Sequence, residues 1–318
     1  MKKKILITPR SFGKTNDVPF KILEKHGYEI IRNQTGEKYS EQQLIDIIEE
    51  MDGIIVGLDP ISRKVLEKAK NLKVVTKYGV GLDNIDLRAA KRLGIQVTFT
   101  PGANDESVAD FTFSLMLSVS RHIKQLDEIV RNDCWGKIIG TEVYGKTLGI
   151  IGTGAIGKDV ARRARGFNME ILAYDIYPDE NFAKKIGLKY VDKKTLLKNS
   201  DFISFHVPLT DEMYHFIDEE ELKMMKDSAI IINTSRGGII NEDSLYYALR
   251  DKKIAAAALD VFENEPPINS RLLELDNVLL SPHCGASTID ATNRMGLMAV
   301  EGLISILEEK EPKYLVKI

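Results

Sequence analysis

The 318-residue chain is 43% hydrophobic and 29% charged, with a formal net charge of −3. That is the balance of a globular protein large enough for two domains with real cores. The near-neutral total argues against nucleic acid or an anionic membrane as the main partner. The opening Met1-Lys2-Lys3-Lys4-Ile5-Leu6-Ile7 turns polar at Thr8-Pro9-Arg10. It is too short for a signal-peptide core and reads as a first strand, and no run approaches transmembrane length. Two cysteines without metal-ligand spacing, Cys134 and Cys284, point to a reducing cytoplasm and to no metal site.

In chain order, strands are predicted at 4–8, 28–32, 53–57, 73–77 and 96–100, with helices at 19–26, 41–50, 62–69 and 87–93 between them. Strands alternating with helices imply a parallel α/β sheet with right-handed crossovers. Pro101-Gly102 breaks the alternation, and one long helix is expected from 104 to 131, with Asn104 or Asp105 as its cap. Its apolar Val108, Phe111, Leu115, Met116 and Val119 read as a core stripe. A helix of that length is also a candidate subunit contact.

A second α/β unit is expected over 145–285, with strands at 170–174, 201–205, 229–233, 255–259 and 277–280 after an initial buried run. A tail helix over 287–309 is expected to pack back on the first unit. The fold class is therefore α/β, two Rossmann-like or flavodoxin-like domains with parallel sheets.

The centre of the second unit is Thr147-Leu148-Gly149-Ile150-Ile151 followed by Gly152, Gly154 and Gly157. These glycines suit a tight turn, close approach of backbone to a pyrophosphate, and close helix–strand packing. The helix start behind them offers free N–H groups to phosphate. The next strand ends in Asp175, eighteen residues after Gly157. An acid there can accept from the adenosine ribose hydroxyls and repel a 2′-phosphate, favouring NAD over NADP. A methyltransferase also places an acid at this point, so the later strands must decide.

Ligands in open α/β sheets bind beyond the carboxyl ends of the strands. After the remaining strands come His206-Val207-Pro208, Thr234-Ser235-Arg236-Gly237-Gly238, Asp260, and Ser281-Pro282-His283. Arg236, between an apolar strand and two glycines, could grip a carboxylate bidentately and polarise a neighbouring carbonyl; the plain alternative is a surface ion pair. His283, with Glu265 as carboxylate partner, could serve as general acid to a carbonyl oxygen. His206 reads as cofactor packing through its loop backbone. His26, His122 and His215 read as surface or structural residues. Cys284 reads as a packing residue, because the site needs a proton donor more than a thiolate.

These motifs, together with Tyr78-Gly79-Val80-Gly81-Leu82-Asp83-Asn84, Pro101-Gly102-Ala103-Asn104 and the run from Leu259-Asp260-Val261-Phe262 to Glu265-Pro266-Pro267, resemble the NAD-dependent D-isomer-specific 2-hydroxyacid dehydrogenases nearly end to end. The methyltransferase alternative falls with that likeness. The resemblance implies an Arg236–Glu265–His283 catalytic set and NAD contacts at Gly152, Gly154, Ala155, Ile156, Gly157, Asp175, His206, Val207, Pro208, Thr234, Ser235, Asp260 and Gly285. It implies a discontinuous substrate-binding domain, 1–101 plus 287–318, and an NAD-binding domain, 102–286. It further implies substrate contacts around Lys77, Tyr78, Gly79, Val80 and Gly81, with backbone N–H groups of the last three holding a carboxylate, and a homodimer.

Within the family, Gly140-Thr141-Glu142 and Gly285-Ala286-Ser287-Thr288 look most like D-3-phosphoglycerate dehydrogenase, hence serine biosynthesis. Gly57 and Ala155 depart from that pattern, since larger polar or basic residues often stand at those positions. Lys77 and Lys137 are the remaining candidates for a phosphate contact, each also readable as a solvated surface lysine. The end at Ile318 implies no C-terminal regulatory domain and no serine feedback. Reductases of glyoxylate or hydroxypyruvate are the alternative within the family, with phosphite or formate oxidation further off. An NAD-sensing co-repressor is the alternative of another class.

Overall fold

A computed structural model describes residues 2–317. It separates into two compact units, Met1–Asn104 with Ala286–Ile318, and Asp105–Gly285. The crossings lie three residues later and one residue earlier than the breaks at 101/102 and 286/287 read from the sequence.

The first unit holds β1 (Lys4–Ile7), β2 (Glu29–Arg32), β3 (Gly53–Val56), β4 (Val74–Lys77) and β5 (Gln96–Thr98). They pair in parallel in the order β2-β1-β3-β4-β5, the flavodoxin-type arrangement. β3 and β4 are buried along their whole length, which is why their sequences run apolar instead of alternating. Successive residues still serve opposite faces. Leu6, Ile54 and Val75 join the layer of Leu44, Val65 and Leu66. Ile5, Ile7, Ile55 and Val74 join the layer of Met295, Val300 and Leu303. That second layer belongs to the helix Ile289–Leu307, capped by Thr288, whose side chain accepts from the Ala291 N–H. Small residues let this helix close on the sheet: a Cβ at Gly302 would stand 2.9 Å from Thr98 Oγ1.

The second unit holds β6 (Thr147–Ile151), β7 (Glu170–Tyr174), β8 (Leu188–Tyr190), β9 (Phe202–Phe205), β10 (Ile230–Asn233), β11 (Ala256–Leu259) and β12 (Val278–Leu280). All pair in parallel, in the order β12-β11-β10-β9-β6-β7-β8. Strand order reverses beside β6, the switch point at which doubly wound sheets bind dinucleotides. β8 lies outside the strands predicted from the sequence; three residues at a sheet edge, the middle one exposed, make no readable pattern.

The expected long helix is two helices. The first, Asp105–Ser120, is buried along Val108, Thr112, Leu115, Met116 and Val119. The chain then turns through His122, whose φ of 52° is left-handed, into Ile123–Arg131, a helix with no buried residue. The apolar period continues across the turn, so pattern alone joins the two. Among the described residues no helix is long and apolar enough to cross a membrane. Among the same residues no group of three or more His, Cys, Asp or Glu side chains could hold a metal ion.

Candidate active site

Because every strand of the seven-stranded sheet runs the same way, their carboxyl ends make one rim. β6 delivers the glycine turn there. Gly152 has φ of +91°, and a Cβ on it would stand 2.5 Å from the His206 carbonyl oxygen. A Cβ at Gly157 would stand 2.0 Å from the Gly152 oxygen, so only glycine lets the helix approach its strand. A Cβ at Gly154 would meet nothing within 4 Å, so that side of the turn is open. Behind it the helix Ala155–Ala164 starts with no side chain capping its first turn. Two glycines made obligatory by packing, a third facing open space and uncapped N–H groups at Ala155 and Ile156 fit the pyrophosphate of a dinucleotide.

Asp175, at the end of β7, is oriented by three donors. Its Oδ2 accepts from the Thr153 N–H (2.6 Å) and Thr153 Oγ1 (2.9 Å), and its Oδ1 from the Tyr177 N–H (2.8 Å). After β9, the His206 N–H bonds the Ile151 carbonyl at 2.8 Å and its Nε2 lies 2.8 Å from Ser204 Oγ. Burial pushes the His206 imidazole down to about 3, so it is neutral near pH 7. It acts on the turn through its backbone, with Val207 against Gly152 and Pro208 exposed.

β10 ends in a tightly wired loop. Asn233 Oδ1 accepts from the Ser235 N–H (3.0 Å) and Oγ (2.8 Å), and its Nδ2 donates to the Arg236 carbonyl (2.8 Å). Arg236 Nη1 donates to the Ser235 carbonyl at 2.6 Å. Thr234 Oγ1 meets Thr112 Oγ1 at 2.9 Å, inside the helix Asp105–Ser120. A Cβ at Gly237 would stand 1.9 Å from the Phe262 oxygen, so this loop presses directly on the one after β11. There the Phe262 N–H donates to Glu265 Oε1 (3.2 Å), and Glu265 Oε2 lies 2.9 Å from His283 Nδ1.

His283 is half-buried, with left-handed φ of 50°. Its N–H donates to the Asp260 carbonyl at 2.8 Å. The buried Asp260 carboxylate closes the loop around it: Oδ1 accepts from Ser281 Oγ (2.6 Å) and the Cys284 N–H (2.9 Å), and Oδ2 from the Gly285 N–H (2.8 Å). Asp260 therefore holds the histidine loop from within, a role its place in the sequence did not reveal. Burial and the nearby Asp260 carboxylate push the Cys284 thiol up to about 11, which leaves it a poor nucleophile. With Nδ1 turned to a carboxylate, the other ring nitrogen of His283 is the one able to exchange a proton with a ligand.

In the first unit, Lys77 is no surface lysine. It is 5% exposed, and its Nζ donates to the Gly57 carbonyl (2.6 Å) and Asn84 Oδ1 (2.7 Å). Tyr78 is buried too; its OH donates to the Thr292 carbonyl at 3.0 Å, and burial pushes its phenol up to about 12. The Gly79 N–H, expected to meet a carboxylate, instead donates to Thr100 Oγ1 at 2.9 Å. That leaves the N–H groups of the exposed Val80 and the half-buried Gly81 for the expected contact. Lys137, in the second unit, is exposed. Asn104 reads from the sequence as a possible helix cap and as part of the Pro101–Asn104 family stretch. Its Oδ1 is buried with no hydrogen-bond partner among the described residues, an acceptor awaiting a donor.

Residues 113–285 match the model for "D-isomer specific 2-hydroxyacid dehydrogenase, NAD binding domain". A glyoxylate reductase from Korarchaeum cryptofilum is 42% identical over 97% of this chain and 96% of its own length. A hydroxypyruvate reductase from Thermotoga maritima is 44% identical over 90% of this chain and 96% of its own. A D-3-phosphoglycerate dehydrogenase from Methanocaldococcus jannaschii is 42% identical over 96% of this chain but only 57% of its own. The structure of D-lactate dehydrogenase from Aquifex aeolicus with NAD and lactic acid superposes with a TM-score of 0.87, at 32% identity and 98% of both chains. This chain belongs to the D-isomer-specific 2-hydroxyacid dehydrogenases, NAD-dependent oxidoreductases.

Proposed function

We propose that the enzyme reduces a small unphosphorylated 2-keto acid at C2, glyoxylate or hydroxypyruvate, to the D-2-hydroxy acid. The observation that carries this reading is the fate of Lys77. Its ammonium is buried and spent on the Gly57 carbonyl and Asn84, while Gly57 and Leu58 give the loop after β3 no cation of their own. A phosphorylated acid would need such a charge. The full-length relatives named as glyoxylate and hydroxypyruvate reductases support the same choice.

In this reading the 152–157 turn and Asp175 would hold NADH, which would supply the hydride when bound. Arg236 orients the substrate carboxylate and polarises the carbonyl. His283 delivers the proton to the carbonyl oxygen from its nitrogen distal to Glu265, and Glu265, 2.9 Å from Nδ1, fixes the ring's direction. Within the first unit, Val80 and Gly81 keep backbone N–H groups able to meet a carboxylate. The two unbridged cysteines suit a cytoplasmic setting.

Rates of NADH oxidation with glyoxylate, hydroxypyruvate, pyruvate and 3-phosphohydroxypyruvate test the proposal. A higher kcat/KM for either of the first two than for the phosphorylated acid is expected. The reverse order would assign the enzyme to D-3-phosphoglycerate oxidation, the reading that the Methanocaldococcus jannaschii relative favours. Tight NADH binding with no turnover would revive the sensor reading.

The functional unit proposed is a homodimer. The helix Ile123–Arg131 buries nothing, yet Ile123 and Val130 are 53% and 57% exposed, and beyond it Trp135 and Ile139 reach 90% and 96%. A contiguous apolar segment of this kind calls for a partner, and an isologous contact between two copies covers it at once. Light scattering should give twice the chain mass, reduced to one chain by Ile139→Glu. A monomeric wild type would overturn the assignment.

A further inference from the structure

The carboxyl ends of β1 and β2 carry a feature that hydride transfer does not use. A cavity of about 220 Å³ opens there, lined by Arg10, Lys14, Arg32 and Asn33 and by the rings of Phe12 and Phe20. Arg10 Nη1 donates to the Gly36 carbonyl at 2.7 Å. The Arg32 guanidinium lies 3.5 Å from the Phe20 ring centroid. Neither contact neutralises a charge. Among the described residues no carboxylate oxygen comes within 4.0 Å of a charged nitrogen of Arg10, Lys14 or Arg32. Three cations thus line one concavity without a counter-ion.

The walls are held in place. Two successive turns, Phe12 N–H to the Pro9 carbonyl (3.2 Å) and Lys14 N–H to the Ser11 carbonyl (3.3 Å), fold the loop onto Phe20. Gly13, with φ of +68°, is required at its centre, since a Cβ there would stand 2.1 Å from the Phe20 ring. Phe12 packs edge-on against Phe20 at 5.0 Å. Stacking on the ring limits the rotamers of Arg32, so less order is lost when it meets an anion.

We propose that this cavity is a binding site for a phosphate group, either inorganic phosphate or the phosphate of a small ester. A planar carboxylate is satisfied by one guanidinium fork, whereas the oxygens of a phosphate dianion can engage several cations arriving from different sides. The volume lies below the roughly 300–1,000 Å³ of drug-sized pockets, which restricts the ligand to a few heavy atoms beyond phosphorus. The Phe12 and Phe20 rings offer an apolar wall to a short carbon chain. The site belongs to the first unit and is distinct from the pyrophosphate turn at 152–157.

The test is calorimetric titration of the intact enzyme saturated with NADH, which fills the dinucleotide site. Inorganic phosphate and glycerol 3-phosphate are the probes, at low ionic strength. Saturable binding of one equivalent is expected, weakened about 10- to 100-fold by Lys14→Gln or Arg32→Gln, the value of one charge-assisted hydrogen bond. Lys21→Gln, a charge outside the cavity, should leave it unchanged. Tighter binding of the ester would identify the ligand as a phosphorylated metabolite, and equal binding would identify free phosphate. No saturable heat with either probe would overturn the site. So would equal loss in Lys21→Gln, or full affinity in both cavity variants.

Discussion

Asp260→Asn isolates the carboxylate that holds the His283 loop. The buried wild-type side chain accepts three hydrogen bonds, from Ser281 Oγ at 2.6 Å, the Cys284 N–H at 2.9 Å and the Gly285 N–H at 2.8 Å. Asparagine has the same shape but a single acceptor oxygen. With that oxygen toward Ser281 and Cys284, its NH₂ faces the Gly285 N–H, donor against donor. Flipped, it abandons the other two. At least one buried N–H is therefore orphaned, at a cost of about 1–3 kcal/mol, or a fall in Tm of about 2–12 °C for a unit of this size. The main-chain bond from His283 to the Asp260 carbonyl survives, so the loop loosens without coming free. A displacement of about 1 Å at a catalytic group can cost about 10²-fold, so kcat should fall by about 10- to 100-fold. NADH affinity decides between two roles. A positioning residue leaves the Kd for NADH unchanged by fluorescence titration, whereas a direct cofactor contact raises it in step with the loss of kcat. Wild-type Tm and kcat together would refute the reasoning.

Three other perturbations follow from the geometry. His283→Ala should lower kcat by about 10²–10⁴, the range for a lost general acid, with NADH binding intact; near-normal turnover would remove His283 from the mechanism. Gly157→Ala puts a methyl group 2.0 Å from the Gly152 oxygen, so the helix must back away from the turn. Weakened NADH binding and a lower Tm are expected, and unchanged fluorescence titrations would show that the turn does not hold the pyrophosphate. Cys284, with a thiol near 11, is about 10⁻³ thiolate at pH 8, against roughly a quarter for an unfolded cysteine near 8.5. Its alkylation by iodoacetamide, followed by peptide mass spectrometry, should be about 10²-fold slower in the folded protein, and equal rates would refute its buried setting.

Much of this molecule is local and so lies open in its sequence. The glycines of the 152–157 turn, the acid that ends β7 and the polar groups after each buried strand are spaced by the chain itself, because a parallel sheet must deliver all its carboxyl ends to one rim. The order of the strands is not fixed by spacing and came only with the fold; Glu265 already read as a candidate partner of His283, and the resemblance implied the pair as part of a catalytic set. What stayed hidden depends on who meets whom across the sheet. Lys77 reads as a possible substrate contact, but Gly57, on the loop after the neighbouring strand, and Asn84, seven residues on, capture its ammonium. Gly79 reads as a carboxylate donor, but Thr100 takes its N–H. Asp260 reads as a cofactor contact, and only the fold wraps the His283 loop around it. The break at His122 escaped because hydrophobic period carries no record of a single left-handed residue. Sequence by itself determined which chemical groups stand at the rim; tertiary structure decided which are available, because each hydrogen bond made inside the protein removes a donor or acceptor from the site.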